Sequence, residues 1–293
     1  MNIYNPKETT ELISRQGAVR ARQRVDKVFM SSVVAGAFLG FAGAVVLTTN
    51  TAPWYQQNAP GLIRVIGAAF FPIGLFTAVS TLQGRTTILQ MLWHWTVTFV
   101  GNLGGSLFAA CIIMGYGGTF STPVAVAEVQ RFTTAKVLTP SWVQIFIRGI
   151  GCNWLICMAI LLSNAAKDFA GKVCAIWWPT FAFAALAFDH VVVNMFFVPI
   201  GIFVGTPGVS VGLYIWKSMI PSLLGNIVGG GLFVGVLFWY LYLQGEDAVP
   251  IDGKYYGNEG PKKELRAEEG RSDSNSSLSD GRHEEKKDIR NMA

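Results

Sequence analysis

The sequence predicts an all-α membrane protein whose six transmembrane helices form two inverted three-helix repeats. Composition is the first observation behind this reading. Of 293 residues, 51% are hydrophobic and only 14% charged, with a mean hydropathy of +0.40, values outside the range of a soluble globular domain. Second, the uncharged runs have the length of about 20 residues needed to cross a hydrocarbon core about 30 Å thick. Third, the chain repeats itself. "TFVGNLGGSLF" at 98–108 recurs as "SLLGNIVGGGLF" at 222–233, pairing Asn102 with Asn226, and "AFFPIGLF" at 69–76 is echoed by "IWWPTFAF" at 176–183. Three spans per half is an odd number, so the halves cross the membrane in opposite senses, an arrangement that sets a pathway at their interface.

In chain order, residues 1–27 carry six Lys or Arg but no apolar h-region or small-residue cleavage site. No removable signal peptide is expected, and the first span serves as the insertion signal. Spans are predicted at 28–49, 62–82, 92–116, 141–163, 173–204 and 218–243, inside a six-span domain over 28–244. The fifth run is too long for one straight crossing. Its "VPIGIFVGTPG" predicts a break there, because Pro199, Gly201 and Gly205 remove or weaken helical hydrogen bonds. Arg15, Arg20, Arg22, Arg24 and Lys27 precede the first span, Arg85 follows the second, and Lys167 and Lys172 lie between the fourth and fifth. These basic loops put both termini in the cytoplasm, with the plasma membrane as the expected location. From 245 to 293 the chain is polar, Ser-rich and mixed in charge, and is expected to be a disordered tail. Cys111, Cys152, Cys157 and Cys174 lie in apolar segments without metal or disulfide spacing, and read as reduced packing residues.

The chemistry concentrates in "FAFAALAFDHVVVNMFFVP", 181–199. Between Lys172 and Lys217, a stretch of 44 residues, Asp189 is the only formally charged side chain and His190 the only titratable base. Such groups are costly in hydrocarbon and normally face a bundle interior or a solute pathway. Asn194, four residues on, falls on the helix face of His190, so both can point into one pathway. Asn153 alone reads as an interhelical hydrogen bond, and His94, among the aromatics of "MLWHWT", as a structural residue near an interface. The "GNLGGS" and "GNIVGGG" glycines read as close helix-packing surfaces, since no adjacent Lys-Ser/Thr completes a phosphate loop. No metal cluster, nucleotide site or catalytic triad is visible, and the basic residues line no single face. The sequence therefore predicts neither an enzyme, nor a cofactor, nor a nucleic-acid partner.

The runs "FDHVVVNMFFVP", "GIGCNWLICMAILLSNAAKD" and "IPSLLGNIVGG" resemble the formate/nitrite transporter family, most closely its fungal nitrite transporters, over about residues 25–245. The resemblance implies an aquaporin-like fold, a homopentamer with one pore per protomer in the lipid bilayer, and passage of small monovalent anions or their conjugate acids. It makes His190 the central pore histidine, Asn194 the asparagine one turn later and Asn153 the pore asparagine of the fourth span. Phe71 and Leu75 on the second span, Ile156 on the fourth and Phe183 before the histidine become constriction residues. Lys136 stands for the vestibule lysine, one residue off register relative to Asn153. Asp189 occupies a position where the family usually has Glu.

The second span departs from that pattern. Family members interrupt this helix with a loop around a G-A-E-L-F-T-G-N pattern whose threonine faces the histidine, whereas this chain reads "FFPIGLFTAVSTLQGRTT". Pro72 to Asn102 spans 30 residues and Pro179 to Asn226 spans 47, so about 17 residues are absent from the first half relative to the second. Thr77 either replaces the loop threonine or belongs to the helix after it. The resulting expectation is a transporter of nitrite, with formate as the alternative. Protonation beside His190 would let the permeant cross as its neutral acid. Two rivals belong to other classes: an aquaporin-type pore for neutral solutes, against which the missing Asn-Pro-Ala pair counts, and a non-conducting protein that keeps the scaffold without the full second span.

Overall fold

The computed structural model describes residues 3–59 and 82–257. Most of the predicted second span lies outside them, as do Phe71, Leu75 and Thr77. Nine helices follow one another among the described residues: α1 (Pro6–Ala21), α2 (Val25–Asn50), α3 (Pro53–Asn58), α4 (Ile88–Tyr116), α5 (Pro123–Val137), α6 (Trp142–Ala165), α7 (Phe169–Ala185), α8 (Val191–Phe203) and α9 (Val211–Tyr242). Their starts are written in the sequence. Asn5 with Glu8, Thr87 with Gln90 and Ser141 with Gln144 form capping boxes, while Pro6 and Pro123 open α1 and α5 at positions where a missing N–H costs nothing. Asp168 and Ser210 accept from the third residue of α7 and of α9.

Four of these helices, α2, α4, α6 and α9, are long and apolar enough to cross a membrane, and α8 is a shorter apolar helix. Residues of α1, the turn before α4, the end of α6 and the segment after α9 meet on one face. Tyr4 N donates to Ala165 O at 2.8 Å, Arg85 Nη1 to Glu11 Oε2 at 2.9 Å, and Trp239 Nε1 to Gln83 Oε1 at 3.1 Å. Thus α4 starts at the face where α6 and α9 end. At the opposite face Tyr116, ending α4, stacks edge-on against Phe203, ending α8, with centroids 5.2 Å apart.

Glycines set the helix crossings, and they do so twice. A Cβ on Gly101 would stand 2.9 Å from Phe29 O, and one on Gly105 only 1.9 Å from Val33 O, so α4 rides directly on the backbone of α2. In the second half a Cβ on Gly225 would stand 2.2 Å from Phe146 O and one on Gly229 2.2 Å from Ile150 O, at the crossing of α9 on α6. Small residues at helical spacing are what permits such approach. The repeat read from the sequence therefore recurs as a pair of equivalent backbone contacts. Each helix passes into π-type winding, α4 after its crossing over Phe108–Tyr116 and α9 from within its crossing over Val228–Val236.

Two expectations are corrected. The fifth span breaks at residues 186–190, between α7 and α8, and not at 199–205. Pro199 and Gly201 lie inside α8, where Gly201 is small because a Cβ would collide with the Thr133 side chain of α5. Apolar all round, α8 is buried from Val191 to Gly201, as such a helix must be. Nor is the chain after 245 wholly tail. Val249 and Ile251 are buried beside Ile13 and Leu161, and Val249 O accepts from Arg15 Nη2 at 2.6 Å. Residues from 258 on lie outside the described ones.

Candidate functional site

The break in the fifth span carries the polar chemistry. A helix interrupted at depth exposes orphan carbonyls and amides that need partners, and two distant residues, Lys136 and Asn226, supply them while Asn194 holds the Asp189 side chain. Lys136, ending α5, donates its ammonium to Ala187 O and Phe188 O, both at 2.9 Å, and to Asp189 Oδ1 at 3.0 Å. Asn226 of α9 accepts from Val191 N at 2.9 Å and donates to Asp189 O at 3.0 Å and to Gly149 O at 2.9 Å. Asn194 Nδ2 donates to Asp189 Oδ1 and to Ser218 Oγ, each at 3.3 Å. Ala187 sits at φ 54, one of the described non-glycine residues in the left-handed region. Such a conformation persists where the surroundings over-determine it, as these bonds do.

His190 occupies the N-cap position of α8 in extended conformation, φ −97 and ψ 125, without bonding a first-turn amide. It is 8% exposed, its Nδ1 has no hydrogen-bond partner among the described residues, and its ring lies 6.4 Å from that of Phe183, centroid to centroid. Its side chain lines a cavity of about 640 Å³ whose walls also include Arg20, His94, Thr98, Asn102, Asn153 and Asn226. The positive end of the α8 dipole falls at the same place, which favours a bound anion. Asp189 is fully buried and its charge is matched by Lys136.

The predicted residues divide. Asn153 lines the cavity with His190, and its Nδ2 donates to Asn226 O at 2.7 Å. Asn194 does not line it: the argument that placed Asn194 on the face of His190 assumed one helix through both, whereas α8 begins only at Val191. Asn194 is fully buried and holds Asp189. Lys136 is no open vestibule residue either, being 7% exposed and committed to the break. Ile156 and Phe183 are buried in the main apolar cluster with Phe196 and Val191, outside the lining of the cavity. Ser218, Asn226 and His94 went unrecognised. The repeat pointed to Asn226 as an echo of Asn102, and charge matching could have paired Lys136 with Asp189.

The formate/nitrite transporter family model matches residues 7–81 and 75–240. The two matched segments overlap at 75–81, where the repeat intervals locate the shortening. A probable formate transporter of Methanothermobacter thermautotrophicus is 33% identical over 272 residues, covering 83% of this chain and 98% of that protein. The formate channel FocA of Haemophilus influenzae is 32% identical over 266 residues, covering 80% and 94%. Among solved structures, an FNT family ion channel superposes with a TM-score of 0.71 at 26% identity over 80% of this chain and 98% of its own. A pentameric formate channel with formate bound gives 0.64 at 25% identity over 75% and 98%. Together with helices long enough to cross a membrane and a buried histidine at a helix break, these matches establish that the chain is a multi-pass membrane protein and belongs to the formate/nitrite transporter family.

Proposed function

We propose that the chain conducts small monovalent oxyanions, nitrite or formate, across the plasma membrane as their conjugate acids, through one pore in each protomer of a homopentamer. The single observation that carries this reading is His190, a buried imidazole that lines the cavity and whose Nδ1 has no partner among the described residues. A bare anion pays a large desolvation cost in an apolar constriction, and its neutral acid far less. An anion arriving at His190 meets the positive end of α8 and a neutral Lys136–Asp189 pair, so it is attracted and not repelled. Imidazole can donate or share a proton there. Asn153, with Nδ2 engaged by Asn226, keeps its amide oxygen for the hydroxyl of the acid. Asn194 acts through Asp189, which it holds in place. On the family resemblance, Thr77, Phe71 and Leu75 are assigned to the walls of the same path, and Ile156 and Phe183 to a constriction beyond the cavity that His190 lines.

Orientation follows the basic loops: both termini cytoplasmic, with 28–244 as the transport domain. The names of the relatives favour formate as a second reading, since those at 33% and 32% identity are described by it. Uptake of nitrite and of formate by proteoliposomes, driven by an acidic exterior, tests both. We expect uptake by the unaltered chain and its loss, by at least tenfold, in His190→Phe and His190→Asn at equal reconstituted amounts. Full uptake by both variants overturns the role of His190, and the ratio of the two wild-type rates decides the substrate.

A further inference from the structure

We infer that His94, Thr98 and Asn102 form a second station for the permeating oxyanion or its acid, on the wall of the cavity that His190 also lines. The inference rests on the transport reading above and adds a binding site to it.

The three residues recur every fourth position along α4, which sets them on one helix face, and all three line the cavity. His94 Nδ1, Thr98 Oγ1 and Asn102 Oδ1 are each buried without a hydrogen-bond partner among the described residues, and Asn102 is only 9% exposed. Native proteins pair the great majority of buried polar atoms, so three orphans in a row call for an occupant. Thr98 makes the point locally. Its neighbour Thr96 returns its hydroxyl to Leu92 O at 2.9 Å, as helical threonines commonly do, whereas the Thr98 hydroxyl makes no such bond.

The matching positions of the other half give a control within the same chain. The interval that pairs Asn102 with Asn226 also pairs Thr98 with Ser222 and His94 with Ser218. There the polar row is satisfied: Ser218 Oγ accepts from Asn194, Ser222 Oγ donates to Ser218 O, and Asn226 bonds three backbone groups. The row on α4 has the same spacing without those partners. A neutral imidazole offers one donor and one acceptor, a hydroxyl both, and an amide both. A planar carboxylate or nitrite can accept from the imidazole N–H, the hydroxyl and the amide nitrogen, and its acid can donate to the amide oxygen. Arg20 on α1, which lines the same cavity, adds attraction for the anionic form.

The test is concentration-dependent uptake of formate and of nitrite into proteoliposomes. His94→Leu is expected to raise the half-saturating concentration about fivefold, and Thr98→Val about two- to threefold, in line with losing one hydrogen bond. His94→Asn, which keeps donor and acceptor, should stay within about twofold. Thr98→Val should also unfold no more readily than the unaltered chain, since an unpaired hydroxyl contributes nothing to lose. Unchanged half-saturation in both His94→Leu and Thr98→Val, with His190→Phe still inactive, overturns the station and leaves the transport reading intact. Absence of uptake in the unaltered chain overturns both.

Discussion

Helices α4 and α9 occupy equivalent places in the two halves, cross their partners on the same glycine positions and carry polar residues in the same register, yet they use those residues in opposite ways. On α9, Ser218, Ser222 and Asn226 are hydrogen-bonded to α8, to their own helix and to the break in the fifth span, respectively. On α4, His94, Thr98 and Asn102 line the cavity, and each keeps a buried polar atom without a partner among the described residues. Backbone contact and polar chemistry are therefore separable layers. The glycines fix where the helices cross, and the polar row decides whether a half holds structure together or presents groups to what passes.

The largest expected effect attacks that contrast directly. Asn226→Leu strands Val191 N–H and Asp189 O in the interior, and unsatisfied buried groups cost about 1–3 kcal/mol each before relaxation. Bilayer proteins relax part of this, so we expect about 2–4 kcal/mol overall, read as a lowered thermal midpoint of the purified protein. Asn102→Leu removes a side-chain oxygen that has no partner and should change stability by less than about 1 kcal/mol. Equal losses from the two variants break the comparison.

Next comes the layer the halves share. Gly105→Ala and Gly229→Ala place a methyl 1.9 Å from Val33 O and 2.2 Å from Ile150 O, both backbone atoms. Each should destabilise by about 1–3 kcal/mol, as overpacking does, and the two midpoints should fall together. Gly104→Ala and Gly231→Ala meet nothing within 4 Å. They should be neutral or slightly stabilising, by up to about 1 kcal/mol of helix propensity. A large difference between Gly105→Ala and Gly229→Ala would show that the repeat ends at the sequence and is not carried into packing energy.

Legibility followed the same two layers. Long apolar helices and their caps are local properties, and α2, α4, α6 and α9 were readable from hydropathy and from residues such as Ser141 and Gln144. The break was misplaced because its cause is not local. "LAFDH" at 186–190 holds no proline or glycine, and it stays open because Lys136 and Asn226, from remote segments, bond its backbone. Pro199 and Gly201 misled in turn, since a glycine can serve a close contact as well as a bend. At the site, the cost of charge in an apolar run made Asp189 and His190 conspicuous. His94 gave no such signal: one histidine among tryptophans looks like an interfacial residue until its neighbours at four-residue intervals are seen to share a cavity.

The smallest effect concerns the tie that joins the segment before α1 to the segment after α9, outside both halves. Asp252 accepts from Tyr4 Oη at 2.6 Å and from Lys167 Nζ at 3.2 Å, and Lys167 stands 4.0 Å from the centre of the Tyr4 ring. The Tyr4 hydroxyl first, and then Lys167, hold the Asp252 carboxyl below its ordinary value, while the same carboxylate raises the Tyr4 hydroxyl. A depressed carboxyl contributes stability that is present above its unfolded-state value, about 3.9, and is lost as pH falls through the folded one. A raised phenol contributes below about 10 and loses it as pH rises through its folded value. Between about pH 5 and 8 the tie is therefore constant, and being exposed it is weak. Asp252→Asn should leave the thermal midpoint unchanged within error across that window, and should flatten only the decline below about pH 4. A midpoint loss at pH 7 as large as that of Gly105→Ala would make this tie a third structural layer, on a par with the helix crossings.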